Sequence, residues 1–120
     1  MLDGKSLPSI EIIPKEGFYD YKNKYQAGAT IEICPTEIDP AIEAELGKVA
    51  LTVHNTLNLS AYSRSDYIVD EKGDIYFLEI NTLPGMTPTS LMPQEAAAAG
   101  VDYNTLCQTV IDIALKEERF

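Results

Sequence analysis

The stretch SRSDYIVDEKGDIYFLEIN, residues 63–81, is the part of this sequence on which the fold turns. Two runs rich in β-branched and aromatic residues flank the short polar segment EKG, a strong signal for an antiparallel hairpin. A turn centred on Lys72 and Gly73, with an even-numbered loop, sets Asp66 directly opposite Glu79 and Arg64 opposite Asn81. Side chains alternate along a strand, so Arg64, Asp66, Glu79 and Asn81 share one face, and Tyr67, Val69, Leu78 and Ile80 take the other.

Two carboxylates facing each other across a ladder repel, which disfavours the pair in a plain sheet. A divalent cation between them removes that objection. Carboxylate and amide oxygens are hard ligands, and one or two carboxylates completed by substrate phosphates is the usual arrangement for magnesium. Arg64 beside them supplies a fixed cation for a phosphoryl group or a developing oxyanion. The pattern alone equally fits the solvated outer face of an antiparallel sheet, and that alternative stays open here.

Outward from the hairpin, LPSIEIIP (7–14) reads as a strand closed by proline, and TIEIC (30–34) as a second strand ended by Pro35. Between them EGFYDYKNKYQAGA (16–29) has neither period 2 nor period 3.6 and reads as a long loop. Asp39 and Pro40 are a helix start, with Ile42, Leu46, Val49, Ala50, Val53 and Leu57 at helical spacing behind them. TLPGMTPT (82–89) is a loop. Ser90 opens a helix that ends at Gly100, and Asp102 opens another with Leu106, Val110, Ile113 and Ala114 as its buried stripe. The expected class is α+β, an antiparallel sheet flanked by helices in one domain over 1–120.

With 19 acidic and 9 basic residues and a net charge of -10, the chain has the wrong sign for a nucleic-acid surface. Phosphate, if bound, must be met by a few placed cations, backbone N–H groups or a metal. Cys34 and Cys107 are far apart in sequence and form no CxxC, as in a reduced cytoplasmic protein. No apolar run is long enough for a bilayer, and Met1 leads into Asp3, Gly4 and Lys5 rather than an apolar leader. Neither a membrane nor a nucleic acid is expected as a partner.

The string EINTLPGMTPTSLMPQEAAAAG (79–100), with SRSD upstream and GFYDYKNKY as a loop, closely resembles the carboxy-terminal part of D-alanine–D-alanine ligases in the ATP-grasp superfamily. The resemblance covers the chain from about Leu7 onward. It implies an ATP-dependent ligation of two D-alanines through an acyl phosphate, for peptidoglycan synthesis. Asp66, Glu79 and Asn81 would hold two magnesium ions, or manganese, with Glu79 bridging. Arg64 and the Gly85 N–H would hold the oxyanion of the tetrahedral intermediate. Lys24 would reach the transferred phosphoryl group and Tyr25 would latch the mobile loop. Phe18, Ile68 and Leu78 would line the adenine slot. Ser90 and the Leu91 N–H would receive the carboxylate of the second D-alanine, as a helix N-terminus favours an anion.

Each residue also has a plainer role available: Ser90 as N-cap, Lys24 as a solvated lysine, Phe18, Ile68 and Leu78 as core, and His54 as an ordinary helix residue. The resemblance further implies a homodimeric parent with an amino-terminal and a central domain absent here, so that this chain is a piece of a longer protein and inactive alone. Two other functions compete. One is a different ATP-grasp carboxylate–amine ligase, against which the TSLMP segment argues. The other is an acidic binding module without catalysis. Ser90-Leu91, rather than Ser-Arg, goes with D-alanine as second substrate within the family.

Overall fold

The computed structural model of the chain describes residues 1–14 and 30–117. The element order is β1 (Glu11–Pro14), β2 (Thr30–Ile33), α1 (Pro40–Thr56), β3 (Arg64–Val69), β4 (Ile75–Asn81), α2 (Leu91–Ala98) and α3 (Tyr103–Lys116). The class is α+β. The strands form two separate antiparallel pairs, β1 with β2 and β3 with β4, rather than one sheet. In the first pair Glu11 faces Ile33 and Ile13 faces Ile31, and β1 begins at Glu11, four residues later than the apolar run suggests.

The helix starts follow from their caps. Asp39 accepts from the Ala41 N–H at 2.8 Å with proline in the first turn of α1, and Asp102 accepts from the Thr105 N–H at 2.7 Å. That bond to Thr105 holds the Asp102 carboxyl below its ordinary range. Gly100 takes φ +86° just beyond α2, the left-handed conformation in which glycine ends a helix without strain.

Leu2, Met92, Ala96 and Leu106 form the core, with Leu7, Tyr62, Met86, Val101 and Val110 packed around it. The core therefore joins α2, α3 and the loop that carries Gly85. On α3 the buried stripe is narrower than the spacing implies: Leu106 is fully buried, Val110 and Ile113 are half-buried, and Ala114 is exposed. His54 is not an ordinary helix residue. It is buried at 4 % exposure and its Nδ1 lies 2.6 Å from the hydroxyl of the buried Ser63, a hydrogen bond that ties α1 to the start of the β3–β4 hairpin. Burial, helped by the Met1 α-amine, holds the His54 pKa below its ordinary value. No helix among the described residues is long and apolar enough to cross a membrane.

Candidate functional site

The hairpin brings the four expected polar residues together, by a route that differs from the expected one. Arg64 pairs with Asn81 and Asp66 with Glu79. The loop, however, is odd-numbered: the Asp70 N–H donates to the Asp74 carbonyl, and Glu71, Lys72 and Gly73 turn between them, with Gly73 at φ +86°. The Asp70 carboxylate accepts from the N–H groups of Lys72 and Asp74 at 2.9 Å each and fixes that turn. Near the loop the register is therefore displaced by one, and Tyr67 pairs with Phe77, Ile68 with Tyr76 and Val69 with Ile75.

A bulge beside Asp66 restores the register before the site is reached. Leu78 is the residue left without a partner, so it does not share a regular outer face with Tyr67 and Ile80. The odd loop and the bulge offset each other, and the carboxylates end up in register. The Tyr67 and Phe77 rings, centroids 5.8 Å apart, brace the opposite face beneath them.

Arg64 donates through Nε to Asp66 Oδ1 at 3.0 Å and through Nη2 to Oδ2 at 3.2 Å. The two side chains, 11 % and 29 % exposed, form a two-pronged pair on the site face that leaves the Nη1 protons of Arg64 for another partner. Asn81 Oδ1 accepts from the Leu83 N–H at 2.9 Å, which pins the amide against the first residues of the 82–90 loop. Glu79 is exposed and, among the described residues, its side chain has no hydrogen bond or ion pair. Two carboxylates and an amide oxygen on one face suit a hard divalent cation completed by oxygen atoms from a substrate. Among the described residues there is no group of three or more His, Cys, Asp and Glu side chains able to hold a metal, so such a site would rely on the amide and on the substrate.

Ile68 and Leu78 are 55 % and 56 % exposed, which removes the plainer reading of them as core. Tyr76, Phe77 and Leu83 are exposed as well, and the hairpin presents an apolar surface around its polar face. Phe18, Lys24 and Tyr25 lie outside the described residues. Gly85 is in the exposed 82–90 loop, where a Cβ would come within 2.8 Å of Ser90 Oγ. Ser90 stands at the N-cap of α2, and yet its side chain makes no capping bond to that helix. The hydroxyl turns back instead, accepting from the Thr87 N–H at 3.1 Å and lying 2.7 Å from Thr87 Oγ1. Leu91, half-buried, opens the helix, whose first N–H groups have no intrahelical acceptor.

Two residues near the site escape a reading of motifs. Thr87 is one. Glu95 is the other: it stands three residues after Met92 and one before Ala96, on the buried side of α2 and directly ahead of an alanine run. Burial pushes its carboxyl up to about 7, with the positive charges of the Met1 α-amine and Arg64 opposing and Asp66 and Glu43 reinforcing. A lone acid at apolar helical spacing is the signal that finds it.

An α+β unit built of two antiparallel strand pairs and three helices, with this hairpin followed by a glycine loop and a helix, has the fold of the carboxy-terminal subdomain of ATP-grasp proteins. The family model described as "D-ala D-ala ligase C-terminus" matches residues 2–112, and the chain belongs to that family. The D-alanine–D-alanine ligase of Desulfotalea psychrophila is 46 % identical over 119 residues, 98 % of this chain and 37 % of that protein. That of Syntrophobacter fumaroxidans is 47 % identical over 115 residues, 94 % of this chain and 37 % of that protein. The D-alanine–D-alanine ligase of Bacillus anthracis, solved in complex with ATP, superposes with a TM-score of 0.79 at 39 % identity, covering 97 % of this chain and 38 % of that one. The chain thus spans little more than a third of the length of these relatives.

Proposed function

We propose that this chain supplies the metal-, phosphate- and second-substrate-binding part of an ATP-dependent ligase that joins two D-alanines through an acyl phosphate, for peptidoglycan synthesis. The observation that carries the reading is the register that sets Asp66 against Glu79 and Arg64 against Asn81 on one face of the β3–β4 hairpin. ATP phosphorylates the carboxylate of one D-alanine. The amine of the second then attacks the acyl carbon, and the phosphate leaves.

Asp66, Glu79 and Asn81 are the residues that would hold magnesium or manganese. When bound, the metal neutralises charge on the transferring phosphoryl group. Arg64, with the Gly85 N–H, meets the oxyanion that forms when the amine attacks. Ser90 and the Leu91 N–H take the carboxylate of the second D-alanine, and Leu91 favours D-alanine there. Ile68 and Leu78 offer apolar surface to the adenine, with Phe18. Lys24 acts on the transferred phosphoryl group and Tyr25 on closure of the site. The enzyme works in the cytoplasm as a homodimer.

The 120-residue chain does not catalyse ligation by itself, because the remaining walls that exclude water and orient the first D-alanine come from sequence it does not contain. The test joins residues 1–120 to the amino-terminal portion of a solved relative and follows phosphate release from ATP with D-alanine. The joined enzyme turns over, the chain alone does not, and Glu79→Gln in the joined enzyme loses nearly all activity. D-alanine-dependent release by the chain alone, or full activity of the Glu79→Gln enzyme, would overturn the assignment.

A further inference from the structure

We propose that Thr87 is a positioning residue that turns the Ser90 hydroxyl into a dedicated donor for a carboxylate, and thereby helps select an acid over its amide as the second substrate. The inference rests on the placement of that carboxylate at Ser90 given above. A serine hydroxyl has one proton and two acceptor lone pairs. At Ser90 one lone pair takes the Thr87 N–H at 3.1 Å. Thr87 Oγ1, at 2.7 Å, is placed to fill the other.

The hydroxyl pair alone can run in either direction. An acceptor-only carboxylate in front of Ser90 fixes it: Thr87 O–H donates to Ser90 Oγ, and Ser90 O–H donates onward to the ligand. Hydrogen bonds in such a chain polarise one another, so the second is strengthened by the first. An amide or amine presenting a proton to Ser90 would instead meet an oxygen with no free lone pair.

Two observations separate this from an ordinary loop contact. The N-cap hydroxyl gives nothing to its own helix, although capping is what serine at that position commonly does. The turn that holds the pair is also closed without the Thr87 hydroxyl, because the Ser90 N–H donates to the Thr87 carbonyl at 3.0 Å. The side-chain bond is therefore additional to what keeps the loop folded. The closeness of the hydroxyl to Gly85, where even a methyl group would reach 2.8 Å from it, places the donor beside the N–H assigned to the oxyanion.

Thr87→Val in the joined enzyme removes Oγ1 while keeping the side-chain shape and both backbone bonds, and Thr87→Ser restores the hydroxyl. The expected result for Thr87→Val is a KM for the second D-alanine raised roughly tenfold, about the size of one hydrogen bond. The KM for ATP and kcat at saturating D-alanine stay within about twofold, because neither depends on that bond. Preference for D-alanine over D-alaninamide as acceptor falls, and Thr87→Ser recovers both properties. Thr87→Val with the wild-type KM and preference, or Thr87→Ser as impaired as Thr87→Val, would overturn the inference while leaving the ligase assignment intact. An unsubstituted joined enzyme without D-alanine-dependent phosphate release would overturn both.

Discussion

Glu95 lies on the buried side of α2 with its carboxyl pushed up to about 7, from an ordinary 4.5, chiefly by desolvation. The folded chain therefore binds this proton more tightly than the unfolded chain does. Between those two values stability falls as pH rises, and above the upper one the full cost is present. At roughly 1.4 kcal/mol per pH unit, the ionised carboxylate costs the folded state about 1.5 kcal/mol near pH 5.5 and about 3 kcal/mol near pH 8. Glu95→Gln keeps the shape of the protonated acid and removes the titration, so the substituted chain gains stability, and gains more at the higher pH. His54 works in the opposite sense, since its lowered pKa makes stability fall as pH drops below its ordinary value, but it is present in both proteins and cancels in the difference. Thermal and urea unfolding of the 120-residue chain and its Glu95→Gln form at both pH values measure the effect, with a Tm gain of roughly 10 °C expected near pH 8 and about half that near pH 5.5. A gain independent of pH, or a loss at pH 8, would refute the argument, because either means that Glu95 is not held protonated by burial.

Ser63→Ala leaves the buried His54 Nδ1 without its partner and should cost about 1–3 kcal/mol of stability, read as a lower urea midpoint with an unchanged slope. Gly85→Ala should barely alter stability, because the atom its Cβ meets is the end of the Ser90 side chain, which can rotate aside. In the joined enzyme the same rotation breaks the Thr87 contact, so the KM for the second D-alanine should rise at least fivefold; an unchanged KM would mean that the hydroxyl does not contribute to substrate binding.

The helices were legible because their signals are local. Asp39 with Pro40, and Asp102, cap the helices they were expected to open, and Gly100 ends α2. What failed to show was long-range. The capping signals of α1 say nothing of the side chain His54 buries, since its partner Ser63 lies beyond the end of the helix. The apolar run at 7–14 likewise exceeds the paired strand, because a strand lasts only as far as its neighbour, and β2 reaches no further than the partner of Glu11.

The site teaches a sharper lesson about register. Alternation fixes which residues share a face only if the ladder is unbroken, and here it is broken twice: by an odd-numbered loop at Glu71 to Gly73 and by the unpaired Leu78. Either alone would set Asp66 against a neighbour of Glu79 and move the two carboxylates to opposite faces, since a slip of one residue reverses every side chain. Together they leave the turn-proximal half of the hairpin in one register and the site-bearing half in another. The bulge thus lets the loop take the geometry favoured by Gly73 while the site keeps the pairing its carboxylates need. Bulges of this kind recur next to active sites because they re-aim side chains without unpairing the rest of the ladder. Leu78 is the residue released in the process, more than half exposed and adjacent to Glu79, on a strand whose outer apolar residues have no cover among the described residues. The same irregularity that aligns the candidate metal ligands therefore also frees the apolar side chain beside them, which is why the polar and the apolar parts of the proposed nucleotide site lie next to each other on β4.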